Sequence, residues 1–316
     1  MKAIRTLFTA CVLCSLLCSC TMRINRTALK MIVSASLKVN KEACYADSCD
    51  KKIGVPYVEN AAPAQVVDIY YAPKALRKNI VLIDIHGGFY VGGDRRNNRP
   101  FASSFLKEGF DVVLLEYRLN DGKLDVSDEL ADCAAALDYL TLNADELDLN
   151  KDRMFLTGDS AGGHLALYLA EASEDRTLPI HPEHFVARGA LLNCPAYDYA
   201  TFASAGGFTD DALAWFIGPR YQDKDWLASV SPRTYLKNYS GPLFVSTCTK
   251  DFIREQFLLL KADCDSLGRP VEFLDLESNK KGVGHVHNVV KPLLPESQTV
   301  NNRMMTFMTD HQSSGF

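Results

Sequence analysis

Residues Arg153-Met154-Phe155-Leu156-Thr157-Gly158-Asp159-Ser160-Ala161-Gly162-Gly163-His164 decide how the rest of the chain is read. An apolar run ends in G-x-S-x-G and passes at once into an Ala/Leu-rich helical pattern. That order describes a serine on a turn so tight that its flanks have almost no room for a side chain, hence Gly158 and Gly162. Ser160 is therefore the candidate nucleophile. A bare G-x-S-x-G also occurs in unrelated chains, so its partners have to be found independently.

Outward from the elbow, apolar runs alternate with helical patterns from Pro63 onward. Strands are predicted at Gln65–Tyr71, Ile80–Ile85, Asp111–Tyr117, Met154–Thr157, Gly189–Cys194, Leu243–Thr247 and Val271–Leu276. Val81-Leu82-Ile83 and Val112-Val113-Leu114-Leu115 lack polar alternation, as expected of parallel strands covered on both faces. Helices fall between them. Ile253, Phe257, Leu260, Cys264 and Leu267 form one apolar stripe that Gly268 and Pro270 terminate. Others are predicted from about Val126 to Leu142 and from about Pro295 to His311. The alternation defines an α/β fold with a mostly parallel, doubly wound sheet. Between Cys194 and Leu243 the rhythm breaks, and an insertion at about 196–240 carrying Trp215, Phe216, Tyr221 and Trp226 is expected to form a small helical cap.

Composition sets the outer limits. The 316 residues are 47% hydrophobic and 23% charged, enough for one large α/β domain. A net charge of −5, with no basic run after the N-terminus, weighs against nucleic acid as a partner. Lys2 and Arg5 precede an apolar stretch from Leu7 to Leu17, the form of an export signal. Leu17-Cys18-Ser19-Cys20 resembles the lipobox of bacterial lipoproteins, which implies cleavage before Cys20 and lipid attachment to its sulfur. The expected organisation is a leader over 1–20, an N-terminal segment over 21–62 contributing to the cap, and a catalytic domain over 63–316. The protein is accordingly expected in the cell envelope or secreted, with a lipid anchor as its membrane contact. Of ten cysteines, Cys11, Cys14, Cys18 and Cys20 lie in the leader. Cys44 and Cys49 are able to pair in an exported protein, and Cys133, Cys194, Cys248 and Cys264 read as buried small hydrophobes.

Acyl transfer needs a base, a group that orients the base, and donors for an oxyanion as well as a nucleophile. Asp84-Ile85-His86-Gly87-Gly88-Phe89-Tyr90 follows a central strand and offers the Gly87 and Gly88 N–H groups; Ala161, after the nucleophile, offers a third. His86 reads as orienting that loop. Asp251, just beyond the predicted strand Leu243–Thr247, is the candidate acid, with Asp275 as runner-up inside the next strand. Gly282-Val283-Gly284-His285-Val286-His287 supplies the base. His285, beside glycines, suits a close approach to the serine, whereas His287 opens an apolar run and packs or lines the acyl pocket. No third ligand stands at metal spacing nearby, so no metal is expected. Phe89, Tyr90, Tyr197, Trp215 and His287 are candidate pocket residues.

His86-Gly87-Gly88, Gly158-Asp159-Ser160-Ala161-Gly162-Gly163, Asp251 and His285 together resemble the hormone-sensitive-lipase group of α/β-hydrolases, from roughly Gln65 to the C-terminus. The resemblance implies an α/β-hydrolase fold and a cofactor-free carboxylesterase for short to medium acyl chains. Small-molecule or glycan esters are the implied substrates. The family's usual third glycine is Phe89 here, as in HGG-aromatic variants among kynurenine formamidases and some polysaccharide-debranching esterases. An amidase or formamidase on the same site is thus the alternative, and a non-catalytic ligand-binding hydrolase fold a third reading.

Overall fold

In the computed structural model, residues 45–201 and 210–312 are described. They form one eight-stranded sheet in the order β1-β2-β4-β3-β5-β6-β7-β8. The strands are β1 (Lys51–Pro56), β2 (Val66–Tyr70), β3 (Val81–Ile85), β4 (Asp111–Leu115), β5 (Met154–Asp159), β6 (Ala190–Asn193), β7 (Leu243–Cys248) and β8 (Glu272–Leu276). β1 and β2 join antiparallel, and the strands from β4 to β8 run parallel.

Unbroken apolar runs become two half-cores. In β3, Val81, Ile83 and Ile85 face one hydrophobic cluster while Leu82, with Ile80 just before the strand, faces the other. Successive strand side chains point to opposite faces, so a strand buried on both sides shows no polar alternation. Helices α2 (Val126–Leu142), α3 (Ala161–Glu174) and α6 (Arg254–Ser266) cover the first face. Helices α1 (Arg99–Lys107) and α8 (Pro295–Asp310) cover the second, α8 through Val300, Met304, Phe307 and Met308. Asp125 caps α2, accepting from Ser127 N while its own N–H donates to Asp128.

β3 pairs with β4 on one side and β5 on the other, so the winding reverses between β3 and β5. Ligand crevices of open α/β sheets lie at the carboxyl ends of strands at such a switch. Both motifs leave from there: the glycine loop follows Ile85 and the elbow follows Asp159.

The N-terminal segment differs from expectation. Residues 51–56, read as part of a cap, form the edge strand β1 instead, and Ala46 N donates to Ser103 Oγ of α1. The leader, Cys20 and Cys44 lie outside the described residues, and no described helix is long and apolar enough to cross a membrane. The excursion after β6 holds α4 (Asp210–Phe216) and α5 (Lys224–Ser229). It is tied to the body by Arg220 on Asp125 at 2.9 Å and by Trp226 Nε1 on Ser127 Oγ at 3.0 Å.

Candidate active site

Ser160 stands between β5 and α3 with φ 56° and ψ −116°, a left-handed conformation that costs a non-glycine residue about 1–3 kcal/mol. Neighbours hold it there: Ser160 N–H donates to Asn193 O at 2.9 Å, and its carbonyl accepts from Ala196 N at 3.1 Å. The flanking glycines are needed for space. A Cβ on Gly162 would lie 1.9 Å from Ile85 O, and one on Gly158 2.2 Å from Gly162 O.

His285 and Asp251 meet through loops that are 34 residues apart in sequence, with Nδ1 2.6 Å from Oδ1. An ionised carboxylate only accepts, so Nδ1 carries the proton and Nε2 is the nitrogen left to act as base. Nε2 is buried and has no hydrogen-bond partner among the described residues. Asp251 also accepts from Thr247 Oγ1 at 2.7 Å and from Ile253 N at 3.1 Å. Burial alone would raise its pKa, but the imidazole and these donors outweigh burial and hold it below the usual carboxylate range. Asp275, the runner-up acid, pairs instead with Arg254 at the surface.

The glycine loop needs one correction. Gly87 N–H, expected to face an oxyanion, donates to Asp159 Oδ1 at 3.1 Å. A Cβ on Gly87 would lie 2.4 Å from Asp159 O, so the glycine serves this close strand-to-strand approach. Gly88 N–H donates to no protein group among the described residues. Ala161 is the first residue of α3, where an N–H has no intrahelical acceptor. Two of the three expected donors therefore stay available.

Buried charge supports the loop. His86 stacks on Tyr117 at 4.5 Å and contacts Glu116 Oε1 through Nε2 at 3.0 Å and Gly87 O through Nδ1 at 2.9 Å. Burial would lower its pKa, yet Glu116 carries it up to about 9, so His86 donates from both nitrogens at neutral pH. Beneath it, Asn98 Nδ2 bridges Asp84 at 2.8 Å and Asp159 at 2.9 Å. Burial and the Asp159 charge push Asp84 up to about 8.

The pocket candidates separate. Phe89, at φ 55°, lies 4.9 Å from Phe216 of α4 and 5.9 Å from Phe252, ring to ring. Phe252, 46% exposed, lies 4.3 Å from the His285 ring. Sequence reading passed over Phe252, whose one signal is that it follows Asp251. Tyr90 and Tyr197 are core residues instead: Tyr90 packs on His164 and Tyr199, and Tyr197 donates to Asp263 at 3.0 Å. His287 is buried with Nδ1 on Gly284 O, and Trp215 is half-buried beside Phe216 on α4.

Cys194, Asp251 and His285 place ligand-type atoms within 4.8 Å of one another. Ligands bonded to zinc at roughly 2.0–2.3 Å stand more than about 3 Å apart, so the 2.6 Å carboxylate–imidazole contact leaves no room for an ion between them. A cavity of about 670 Å³ bordered by Leu243, Arg269 and Glu272 opens at the amino ends of β7 and β8, at the opposite end of the strands from Ser160.

A parallel sheet with a serine elbow and a glycine loop side by side at its switch point defines an α/β-hydrolase. Matches with known proteins agree with that class. The chain belongs to the BD-FAE family, whose model matches residues 67–256. It is similar to an esterase of Fusarium pseudograminearum, 30% identical over 158 residues that cover 48% of each chain. A non-reducing polyketide synthase of Aspergillus calidoustus is 35% identical over 138 residues, 40% of this chain and 6% of the synthase. The chain thus spans a small part of that relative and about half of the esterase. Among solved structures, esterase B of Lactobacillus Rhamnosis superposes with a TM-score of 0.79 at 23% identity, covering 91% of this chain and 96% of the other. An esterase of the bacterial hormone-sensitive lipase family superposes with a TM-score of 0.69 at 18% identity, covering 99% and 97%.

Proposed function

We propose that the protein is a serine carboxylesterase for short- to medium-chain esters, acetyl esters among them. The observation that carries this reading is the Asp251–His285 contact at 2.6 Å, which leaves the buried Nε2 without a partner among the described residues. In the proposed cycle His285 Nε2 takes the Ser160 hydroxyl proton as Oγ attacks the ester carbonyl. Gly88 N–H and Ala161 N–H hold the resulting oxyanion, each donor contributing about 2.7–4 kcal/mol of transition-state stabilisation. His285 then gives the proton to the departing alcohol. Water, deprotonated by the same nitrogen, releases the acid from the acyl-enzyme.

Phe89, Phe216 and Phe252 form an aromatic wall beside the imidazole, which favours apolar groups on the ester. The residues over 196–240 act as the cap in this reading. The leader carries the protein to the cell envelope, with Cys20 as its lipid attachment point.

Purified protein lacking residues 1–20, assayed on p-nitrophenyl acetate, butyrate and decanoate beside Ser160→Ala, tests the activity. Serine-dependent turnover highest on acetate or butyrate is expected, with fluorophosphonate labelling of the wild type and none of the variant. A wild type that is folded yet neither turns over nor labels would sink the reading. Faster hydrolysis of N-formylkynurenine than of acetyl esters would move the assignment to a formamidase.

A further inference from the structure

The carboxyl end of β6 touches all three loops of the proposed triad, through two adjacent residues. Asn193 O accepts the Ser160 N–H at 2.9 Å. Its side-chain Oδ1 accepts from Asn288 Nδ2 at 2.7 Å, three residues past His285, and from Ser246 Oγ of β7 at 3.1 Å. Asn288 and Asn301 exchange two further bonds at 3.1 and 3.2 Å, which ties the short helix α7 (His287–Val290) to α8. Next in the chain, Cys194 adopts φ 47°, a left-handed conformation unusual outside glycine. That twist brings its Sγ to the Val286 N–H at 3.3 Å, one residue past His285. Sγ also lies within 4.8 Å of the Asp251 carboxylate and the His285 ring. Burial, and next the Asp251 charge, push the thiol's pKa well up.

We infer that Asn193 and Cys194 are positioning residues, which set the acid and base loops in register with the serine elbow by binding all three at one strand end. This rests on the triad assigned above. The geometry has a specific logic. β6 lies between β5, which carries Ser160, and β7, which leads to Asp251, so its end is within one strand spacing of both. The His285 loop arrives from beyond β8 and is no part of the sheet, and Val286, a β-branched residue at φ 48°, is held in a strained turn. Cys194 Sγ is a single atom that accepts from the base loop and stands beside the acid's carboxylate. Alanine cannot accept that N–H, whereas serine can.

Cys194→Ala is expected to lower kcat on p-nitrophenyl acetate by on the order of 10- to 100-fold, the cost of a sub-ångström misalignment. KM should stay within about twofold, because the acyl pocket is untouched. Cys194→Ser should recover most of the loss. Asn288→Ala cuts the other tie and should give the same kcat-selective fall, which keeps the test open should Cys194→Ala not fold. Wild-type kcat in either folded alanine variant, or a Cys194→Ala loss that serine does not repair, overturns the inference. Failure of the triad itself reads differently: then the wild type would not label with a fluorophosphonate at all.

Discussion

Replacing Asp251 by asparagine isolates the charge behind the base. The carboxylate lies 2.6 Å from His285 Nδ1, and at an effective dielectric constant of about 20 that separation corresponds to roughly 6 kcal/mol between full charges. In the proposed cycle the charge pair exists only once the imidazole has taken the serine proton, so the energy acts on the transition state. A neutral amide keeps at most an ordinary hydrogen bond, worth about 1 kcal/mol. The net loss is then about 5 kcal/mol, or roughly 10⁴-fold in kcat. The site also constrains the amide. Its NH₂ must face either Thr247 Oγ1, which can rotate to accept, or His285 Nδ1, which would move the imidazole proton to Nε2 and disable the base. Both arrangements lower the rate. The assay is kcat and kcat/KM on p-nitrophenyl acetate, with circular dichroism to verify the fold and Asp275→Asn as control. The control should match the wild type, since Asp275 pairs with Arg254 at the surface. An Asp251→Asn enzyme retaining more than about a tenth of wild-type kcat would refute the reasoning, because less than about 1.4 kcal/mol would then be at stake.

Gly162→Ala should destabilise the protein by roughly 3 kcal/mol or more, since the new Cβ would meet backbone that cannot repack; that atom would stand 1.9 Å from Ile85 O. Denaturant melts beside the wild type give the value, and an unchanged midpoint would contradict the close approach. Stability should also fall on the alkaline side. Asp84 and His86 hold protons more tightly folded than unfolded, at about 8 against 3.8 and about 9 against 6.5. Their contribution is complete below each unfolded value, fades as pH rises, and is gone above about 8 and 9 respectively. Tm measured from pH 6 to 10 should drop across this interval, and Glu116→Gln, which removes the partner that raises His86, should flatten the upper part. A wild-type Tm that stays constant to pH 10 would count against both buried protons.

Much of this was legible because it is local. An elbow needs small residues beside its serine, so Gly158 and Gly162 flag it in any single sequence. Apolar runs placed β3, β4 and β5 to within a few residues. β1 was hidden because Lys51-Lys52-Ile53-Gly54-Val55-Pro56 neither alternates nor buries its side chains, and its register slips between Lys52 and Val55. Gly87 was misread because the group that takes its N–H, Asp159, lies 72 residues away on the adjacent strand. Tyr90 and Tyr197 carry aromatic rings suited equally to a pocket or a core, and contacts with His164 and Asp263 decide between them. The ties from Asn193 to Asn288 and from Cys194 to Val286 span 95 and 92 residues, beyond any local pattern.

The register of β3 against β5 works as a ruler. Five consecutive pairs, from Val81↔Met154 to Ile85↔Gly158, deliver the glycine loop and Ser160 side by side, about one strand spacing of 4.8 Å apart. Neither strand depends on the excursion after β6 for its pairing. In the proposed reading, bond-breaking geometry and substrate choice are therefore written in different parts of the chain. Under the proposed function, residues such as Phe216 can be exchanged to admit new esters while the spacing between the glycine loop and Ser160 stays set by backbone hydrogen bonds. Selection can retune what enters this site without having to rediscover how to cleave it.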